Sequence, residues 1–265
     1  MPEGPEVKTL VKWLNKNVKN KNMLDIKINS GRYIKHGPPI GWEKLKKSLP
    51  LKVKSVNCKG KFIWWEFENS DLSMWNTLGM SGWWYYDDTK HNNLSFKISH
   101  SYIHFNDVRN FGTIKICTKN NLEKKLKCLG PDVLQDDNLD EFKKRLGRKR
   151  KNTFIGSALM DQKVISGVGN YLRADILYVS KISPFREIQN LKEKEIELLY
   201  KNCKLISERA FKIQNNQKFD KDLIHPSMGK RFFFIYSREK DIKGNKVITE
   251  KLGTRTVHWV PKVQK

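Results

Sequence analysis

The feature that most constrains this chain is a change of hydrophobic period near Asn120. Before it, from about Met23 to Lys119, the segments DIKINSGRYI, KVKSVNC, KFIWWEFE, LSMWNTLGMSGWWYY, LSFKIS, SYIHFND and FGTIKICT alternate apolar with polar residues. They are rich in β-branched and aromatic residues and punctuated by Gly, Asn and Asp, which is the signature of short strands. Seven such segments at close spacing predict a β-sandwich or barrel. After it, NLEKKLKCLG, LDEFKKRLG, TFIGSALMDQ, NYLRADILYVS and LKEKEIELLYKNCKLISERAFKIQ carry the helical period. Strands return from Lys230 as RFFFIYSREK, NKVITEK and RTVHWV, with Gly244-Asn245 suited to a hairpin turn between the first two. Ahead of the strands, Gly4 to Asn17 reads as a helix: Pro5 and Glu6 suit its first turn, and Val7, Leu10, Val11 and Leu14 form a stripe. The expected fold is therefore α+β in two domains. Residues 1–119 hold a helix plus β-sandwich, 120–130 a flexible linker with Leu129-Gly130-Pro131 at the joint, 131–229 a helical domain, and 230–265 a strand pair. There are no internal repeats and no low-complexity segment.

At 265 residues and 38% hydrophobic the chain can bury a real core. Its 52 Lys and Arg against 28 Asp and Glu leave a net charge of +24, spread along the whole length. Such a fold repels itself unless an anion is near, and nucleic acid is the leading partner. An AT-rich genome would account for Lys over Arg but not for the shortage of acids. The cysteines, Cys58, Cys117, Cys128 and Cys203, form no C-x-x-C pair, so neither a zinc ribbon nor a disulfide framework is indicated. With no membrane-spanning stretch and no basic-then-apolar leader, the chain reads as intracellular, in a DNA-containing compartment such as nucleus or cytoplasm, and not secreted.

Five groups of residues can carry chemistry. Pro2-Glu3-Gly4-Pro5-Glu6 is an ordinary helix start, but removal of Met1 would give Pro2 a free secondary amine. An α-amino group titrates near 8, and the adjacent helix dipole favours its neutral, nucleophilic form. Glu3 could shuttle the proton. Lys59-Gly60-Lys61 precedes the strand FIWWEF, and a Lys on such a turn is a solvated residue or a phosphate contact. Gly167-Val168-Gly169-Asn170 opens a helix after another helix, a hairpin whose second N-terminus, with Asn170 as cap, suits a phosphate; otherwise its glycines serve only the turn. Gly253-Thr254-Arg255-Thr256 puts an arginine on a basic strand pair, as a phosphate clamp or a surface residue. Met80 in LGMSG, with Arg109 and Phe111 in DVRNFG, could fill the gap left by a flipped base, or be core and turn. His100 and His104 read as structural histidines in strands rather than a metal pair.

In order along the chain, PEGPEV, KGK, LGMSG, DVRNFG, MDQKVISGVGNYLRADIL and GTRTVHW resemble the formamidopyrimidine-DNA glycosylase/endonuclease VIII family over essentially the whole length. The resemblance implies a helix plus β-sandwich, then a helix–two-turn–helix domain with a C-terminal β-hairpin finger. It implies a monomeric bifunctional DNA glycosylase and lyase that excises an oxidised base and cuts the strand by β,δ-elimination. Pro2 matches the family's nucleophile, Glu3 its partner acid, and Lys61, Asn170 and Arg255 its phosphate contacts. Met80, Arg109 and Phe111 match its void-filling trio. Most of the family holds its finger with four cysteines and zinc, whereas residues 204–265 contain no Cys. That departure resembles the zinc-less finger branch, with no metal or other cofactor expected, since an amine and a carboxylic acid suffice for the chemistry. The branch implies oxidised pyrimidines and ring-opened purines as substrates, in duplex, single-stranded or bubble DNA. The segment 215–230 is short for capping a flipped 8-oxoguanine, which points the same way. The alternatives are a non-catalytic damaged-DNA-binding protein on the same scaffold and a basic RNA-binding protein.

Overall fold

A computed structural model describes residues 1–216 and 233–265. They resolve into two compact units, one of Met1–Pro2 with Val7–Lys127 and the other of Glu3–Glu6 with Cys128–Lys265. Helix α1 (Gly4–Val18) buries the expected stripe and ends on buried Val18 rather than at Asn17. Asn15 near its end accepts the Val56 amide at 2.9 Å and donates to the Val56 carbonyl at 2.6 Å, which pairs the helix with a strand.

The first unit continues through β1 (Asn22–Ile28), α2 (Arg32–Lys35), α3 (Trp42–Lys47), β2 (Leu51–Lys59), β3 (Phe62–Phe67), β4 (Leu72–Thr77), β5 (Trp83–Tyr85), β6 (Asn92–Ile98), β7 (Ser101–Asn106) and β8 (Thr113–Thr118). The eight strands are antiparallel in the order β5-β7-β6-β1-β2-β3-β4-β8. β1 and β2 share only the pairs Asn22–Lys52 and Met23–Leu51, so the sheet divides there into two leaves. The leaves pack face to face: Trp65 of β3 meets Trp84 of β5 at 5.1 Å and Phe96 of β6 at 6.5 Å, all three buried. This is the expected sandwich, and each ring pair adds about 0.5–1.5 kcal/mol beyond its area.

Two local readings change. LSMWNTLGMSGWWYY is two strands, β4 and β5, because Gly79 at φ 61° reverses the chain and Gly82 lies where a side chain would strike the Leu78 carbonyl and the Phe105 ring. DIKINSGRYI leaves the strand after Ile28, and past Gly31, at φ 73°, its last residues form α2. There the Arg32 amide bonds the Asn110 side chain at 3.0 Å instead of a strand.

Helix α4 (Lys119–Cys128) fills most of 120–130, and Gly130 then pairs with the Gln162 carbonyl at 2.9 Å. The second unit holds α5 (Leu139–Gly147), α6 (Ile155–Ala158), α7 (Asn170–Val179) and α8 (Glu193–Asn216), then β9 (Ile248–Leu252) and β10 (Arg255–Trp259). α5 is capped by Asn138, whose Oδ1 accepts the Glu141 amide at 2.9 Å. α6 is far shorter than TFIGSALMDQ suggests: past its cap at Leu159 the Met160 and Asp161 amides bond only three residues back, to Ser157 and Ala158, and the Asp161 carboxylate then takes the Lys163 amide. α7 is buried from Tyr171 to Tyr178 and forms the centre of this unit.

The strand expected at RFFFIYSREK is absent over its described residues, 233–240. The amides of Phe234, Ile235 and Tyr236 go instead to the buried Asp175 carboxylate, at 3.0, 3.0 and 3.4 Å. Gly244-Asn245 does form a turn, closed by one bridge between Lys240 and Lys246. The regular hairpin lies downstream, β9 with β10, turning at Gly253 with φ 61°. The expectation for 215–230 falls, from residue 217 on, outside the described residues. Among the described residues no helix is long and apolar enough to cross a membrane.

Candidate active site

Glu3 is 1% exposed and sits on the N-terminus of α7. Its Oε2 accepts the amides of Gly169 at 2.7 Å and Leu172 at 3.2 Å, and its Oε1 accepts Tyr171 at 2.9 Å. The next amide, Gly4, donates to the Gly167 carbonyl at 2.9 Å. A carboxylate on three orphan helix amides is the favoured charge at that dipole end, each bond contributing about 1–3 kcal/mol. A side chain at Gly169 would overlap the Glu3 carboxylate, which is what the glycine there provides. The expectation of a phosphate at these amides is thus corrected: the protein's own acid occupies them. Asn170 is not the cap either. Gly169 holds that position with no side-chain bond, and Asn170 is the first helical residue.

Glu6, which sequence reading passed over as a helix-start acid, joins this cluster. It accepts the Glu3 amide at 2.8 Å, the Tyr171 hydroxyl at 2.8 Å and the Gln214 side-chain amide. Burial raises its pKa, while the bonds from the Glu3 amide and Tyr171 work against the rise. Burial and the two glutamates push Tyr171 well above its ordinary value, so it stays a hydroxyl donor.

Arg173 is the second residue the sequence did not single out. It is 2% exposed. Its Nη2 donates to Asn170 Oδ1 and to the Thr256 carbonyl at 3.0 Å, and its Nη1 to the Gly156 carbonyl at 3.1 Å. Burial pulls its pKa down to about 10, Arg255 adds to the fall and Glu3 opposes it, so the side chain remains a cation at neutral pH. The clue in the sequence was an arginine inside NYLRADILYV, a helix otherwise apolar enough to be buried all round.

Arg255 opens β10 and is exposed, paired in register with Leu252. The segment before the hairpin is tied down by carboxylates and apolar contacts. Asp175 holds residues 234–236, as above. Asp241 accepts the amides of Lys243 and Asn245 at 2.8 Å and the Tyr178 hydroxyl at 3.0 Å. Ile235, Val247 and Val260 pack with Ala174 and Tyr178 into a small buried cluster. A four-cysteine zinc centre does not fit these residues: the region has no Cys, and its interior is packed with aliphatic and aromatic side chains. Among the described residues no three His, Cys, Asp or Glu side chains gather in a way that could hold a metal. His104 bonds Ser95 at 2.7 Å, and His100 is exposed in the β6–β7 turn rather than in a strand.

In the first unit, Pro2 is buried and Lys61 is half-buried on the β2–β3 turn, after Gly60 at φ 57°. Met80, Arg109 and Phe111 lie on two loops that one carboxylate joins. Asp107 accepts the Ser81 hydroxyl at 2.5 Å and the Gly112 amide at 2.5 Å, and its own amide donates to Asn93 Oδ1 at 2.6 Å. Ser81 Oγ in turn accepts the Arg109 amide at 3.0 Å. Arg109 lies 5.1 Å over the Phe111 ring, which is 54% exposed, so a cation and an aromatic face stand together at the surface. The first unit thus gathers the Met80, Arg109 and Phe111 loops, with Lys61 on a separate turn. The second gathers Glu3, Asn170 and the strand of Arg255 around the start of α7.

Two family models match this chain, the formamidopyrimidine-DNA glycosylase N-terminal domain over residues 1–114 and the H2TH domain of the same enzymes over 129–220. The formamidopyrimidine-DNA glycosylase of Ligilactobacillus salivarius is 30% identical over 281 residues, covering 100% of this chain and 99% of its own length. That of Mycoplasma genitalium is 33% identical over 221 residues, covering 79% and 75%. Among solved structures, a Lactococcus lactis mutant of this enzyme with DNA containing Fapy-dG superposes with a TM-score of 0.85 at 26% identity over all of both chains. The wild-type Lactococcus lactis protein with DNA containing an oxidised pyrimidine gives 0.85 at 25%, again over all of both chains. The chain belongs to the formamidopyrimidine-DNA glycosylase/endonuclease VIII family.

Proposed function

We propose that this DNA glycosylase is bifunctional: that it removes oxidised pyrimidines and ring-opened purines through Pro2 and then cuts the strand as a lyase. The observation that carries this reading is the seating of Glu3 on three amides of α7, with the Gly4 amide on Gly167, which fixes the chain directly beside Pro2. Once Met1 is removed, the Pro2 amine attacks C1′ of the damaged nucleoside, and the base leaves with its bonding pair and takes a proton from water. The proton that the new ammonium sheds passes to Glu3. Glu3 returns it to the sugar ring oxygen as the ring opens, leaving an iminium. The iminium acidifies C2′; loss of that proton expels the 3′ phosphate, a second elimination expels the 5′ phosphate, and hydrolysis frees Pro2. Lys61, Asn170 and Arg255 contact the backbone phosphates, and Met80, Arg109 and Phe111 fill the space the flipped nucleotide leaves.

The solved relatives were crystallised with Fapy-dG and with an oxidised pyrimidine in DNA, the two lesion classes expected here. Thymine glycol, 5,6-dihydrouracil and formamidopyrimidines are the substrates, in duplex, single-stranded or bubble DNA, with 8-oxoguanine poor. The protein works as a monomer in a DNA-containing compartment, and its finger is of the zinc-less kind. Borohydride trapping on a lesion-bearing oligonucleotide tests the chemistry. Wild type forms a covalent adduct, with or without a chelator, and Pro2→Gly forms none. Equal trapping by the variant would remove Pro2 from the nucleophile's role, and binding without trapping by a wild-type chain lacking Met1 would leave a DNA-binding protein only.

A further inference from the structure

Arg173 is a buried cation whose partners are all neutral oxygens: Asn170 Oδ1, the Thr256 carbonyl and the Gly156 carbonyl. Its Nε is buried with no hydrogen-bond partner among the described residues. A cation this deep is costly unless something offsets it; Glu3 favours the charge from nearby, but among the described residues no carboxylate bonds it. What its partners have in common is position. Asn170 stands at the turn into α7, and Thr256 is the neighbour of Arg255 on β10. An asparagine amide can present either its oxygen or its two N–H donors to a ligand. With Arg173 holding the oxygen, only the N–H donors of Asn170 are left to face outward, and those are what a phosphate oxygen needs. The same guanidinium fixes the backbone beside Arg255, so one planar fork sets the separation of two phosphate-binding side chains.

We propose that Arg173 is the positioning residue of a two-point phosphate clamp, orienting the Asn170 amide and the Arg255 strand toward one stretch of DNA backbone and supplying positive charge behind it. The proposal rests on the DNA-binding part of the reading above and deepens it. A bound phosphate adds negative charge to what Glu3 already supplies near the buried cation.

The test is binding of full-length protein to duplex DNA bearing a tetrahydrofuran abasic analogue, for wild type, Arg173→Met, Asn170→Ala, Arg255→Ala and the double variants, with thermal melting as the check on folding. Arg173→Met weakens binding by roughly tenfold to a hundredfold, the usual weight of a lost charge-assisted bond. It also lowers the slope of log Kd against log salt by about one ion, although Arg173 itself touches no solvent, because Arg255 loses its aim. In an Asn170→Ala background the same substitution costs less than about threefold on the Asn170 side of the clamp, since the amide it oriented is gone. Should Arg173→Met fail to fold, Arg173→Lys serves: it keeps the charge, loses the fork, and gives an intermediate loss with the same coupling. Wild-type affinity and salt slope in a folded Arg173 variant, or losses that simply multiply in every double variant, overturn the proposal. Failure of wild type itself to prefer the abasic analogue over undamaged duplex would strike the functional reading instead.

Discussion

The two units hold their surface residues in different ways. In the first, an aromatic centre and an eight-stranded ladder do the work, and one buried carboxylate, Asp107, joins the two loops that carry Met80, Arg109 and Phe111. In the second, the parts that meet at α7 are joined by buried ionisable side chains: Glu3 on the helix amides, Glu6 on Tyr171, Arg173 between Asn170 and Thr256, and Asp175 on residues 234–236. Apolar packing tolerates pH and salt; buried charge does not. The contrast predicts a first unit that fails when its core is cut and a second that responds to titration and to single charge changes.

The largest expected effect tests the first half of that contrast. Trp84→Ala removes a buried ring that packs on Trp65, Phe96 and Phe105 and donates to Asn76 at 2.9 Å. It costs about 3–5 kcal/mol, read by denaturant unfolding. A loss under about 1 kcal/mol would mean that the ladder, not the aromatic stack, holds the sandwich. The second test is Asp175, whose pKa burial pushes up to about 6 against the pull of three amides. Its carboxyl binds a proton more tightly when folded, so its contribution to stability is full below about pH 4 and falls as pH rises toward 6. The size is on the order of 3 kcal/mol. Melting of wild type and Asp175→Asn across that window should show wild type losing ground as pH rises; parallel curves would remove Asp175 from the account. The smallest effect is in the first unit. Asp107→Asn sets an amide N–H against either Ser81 or Gly112 and costs about 1–3 kcal/mol. Excision of a base from duplex DNA should fall while cleavage of a pre-formed abasic site in a single strand holds. An equal fall in both would show that loop order serves more than filling the duplex.

Most of the sheet was legible because strand alternation and helix period are local properties of sequence, and the centre of each long element fell where the period put it. The turn into α7 was legible as glycines, but its occupant was not. That Gly169 makes room for the Glu3 carboxylate depends on two residues 166 positions apart. The strand wrongly expected at RFFFIYSREK has the right composition for one, and loses to Asp175, a side chain on a distant helix that takes the amides a neighbouring strand would have bonded. α3 escaped notice because Trp42 and Leu45 give its six residues a single turn of apolar spacing, too little to register as a period. Glu6 was invisible, and Arg173 nearly so, for a related reason: charged residues in helices are ordinarily solvated, and tertiary packing is what buries these two.

The anchoring of Glu3 also sets an order in time. The amides that hold it belong to residues 169, 171 and 172, so Glu3, once made, waits for 169 further residues before it is fully anchored. At about 5–20 residues per second that interval is roughly 10–30 seconds. Throughout it, the proposed nucleophile has no fixed acid beside it. A nascent chain that meets DNA early can cling to it by charge alone, and the proposed chemistry becomes possible only when the helix that restrains Glu3 has been made.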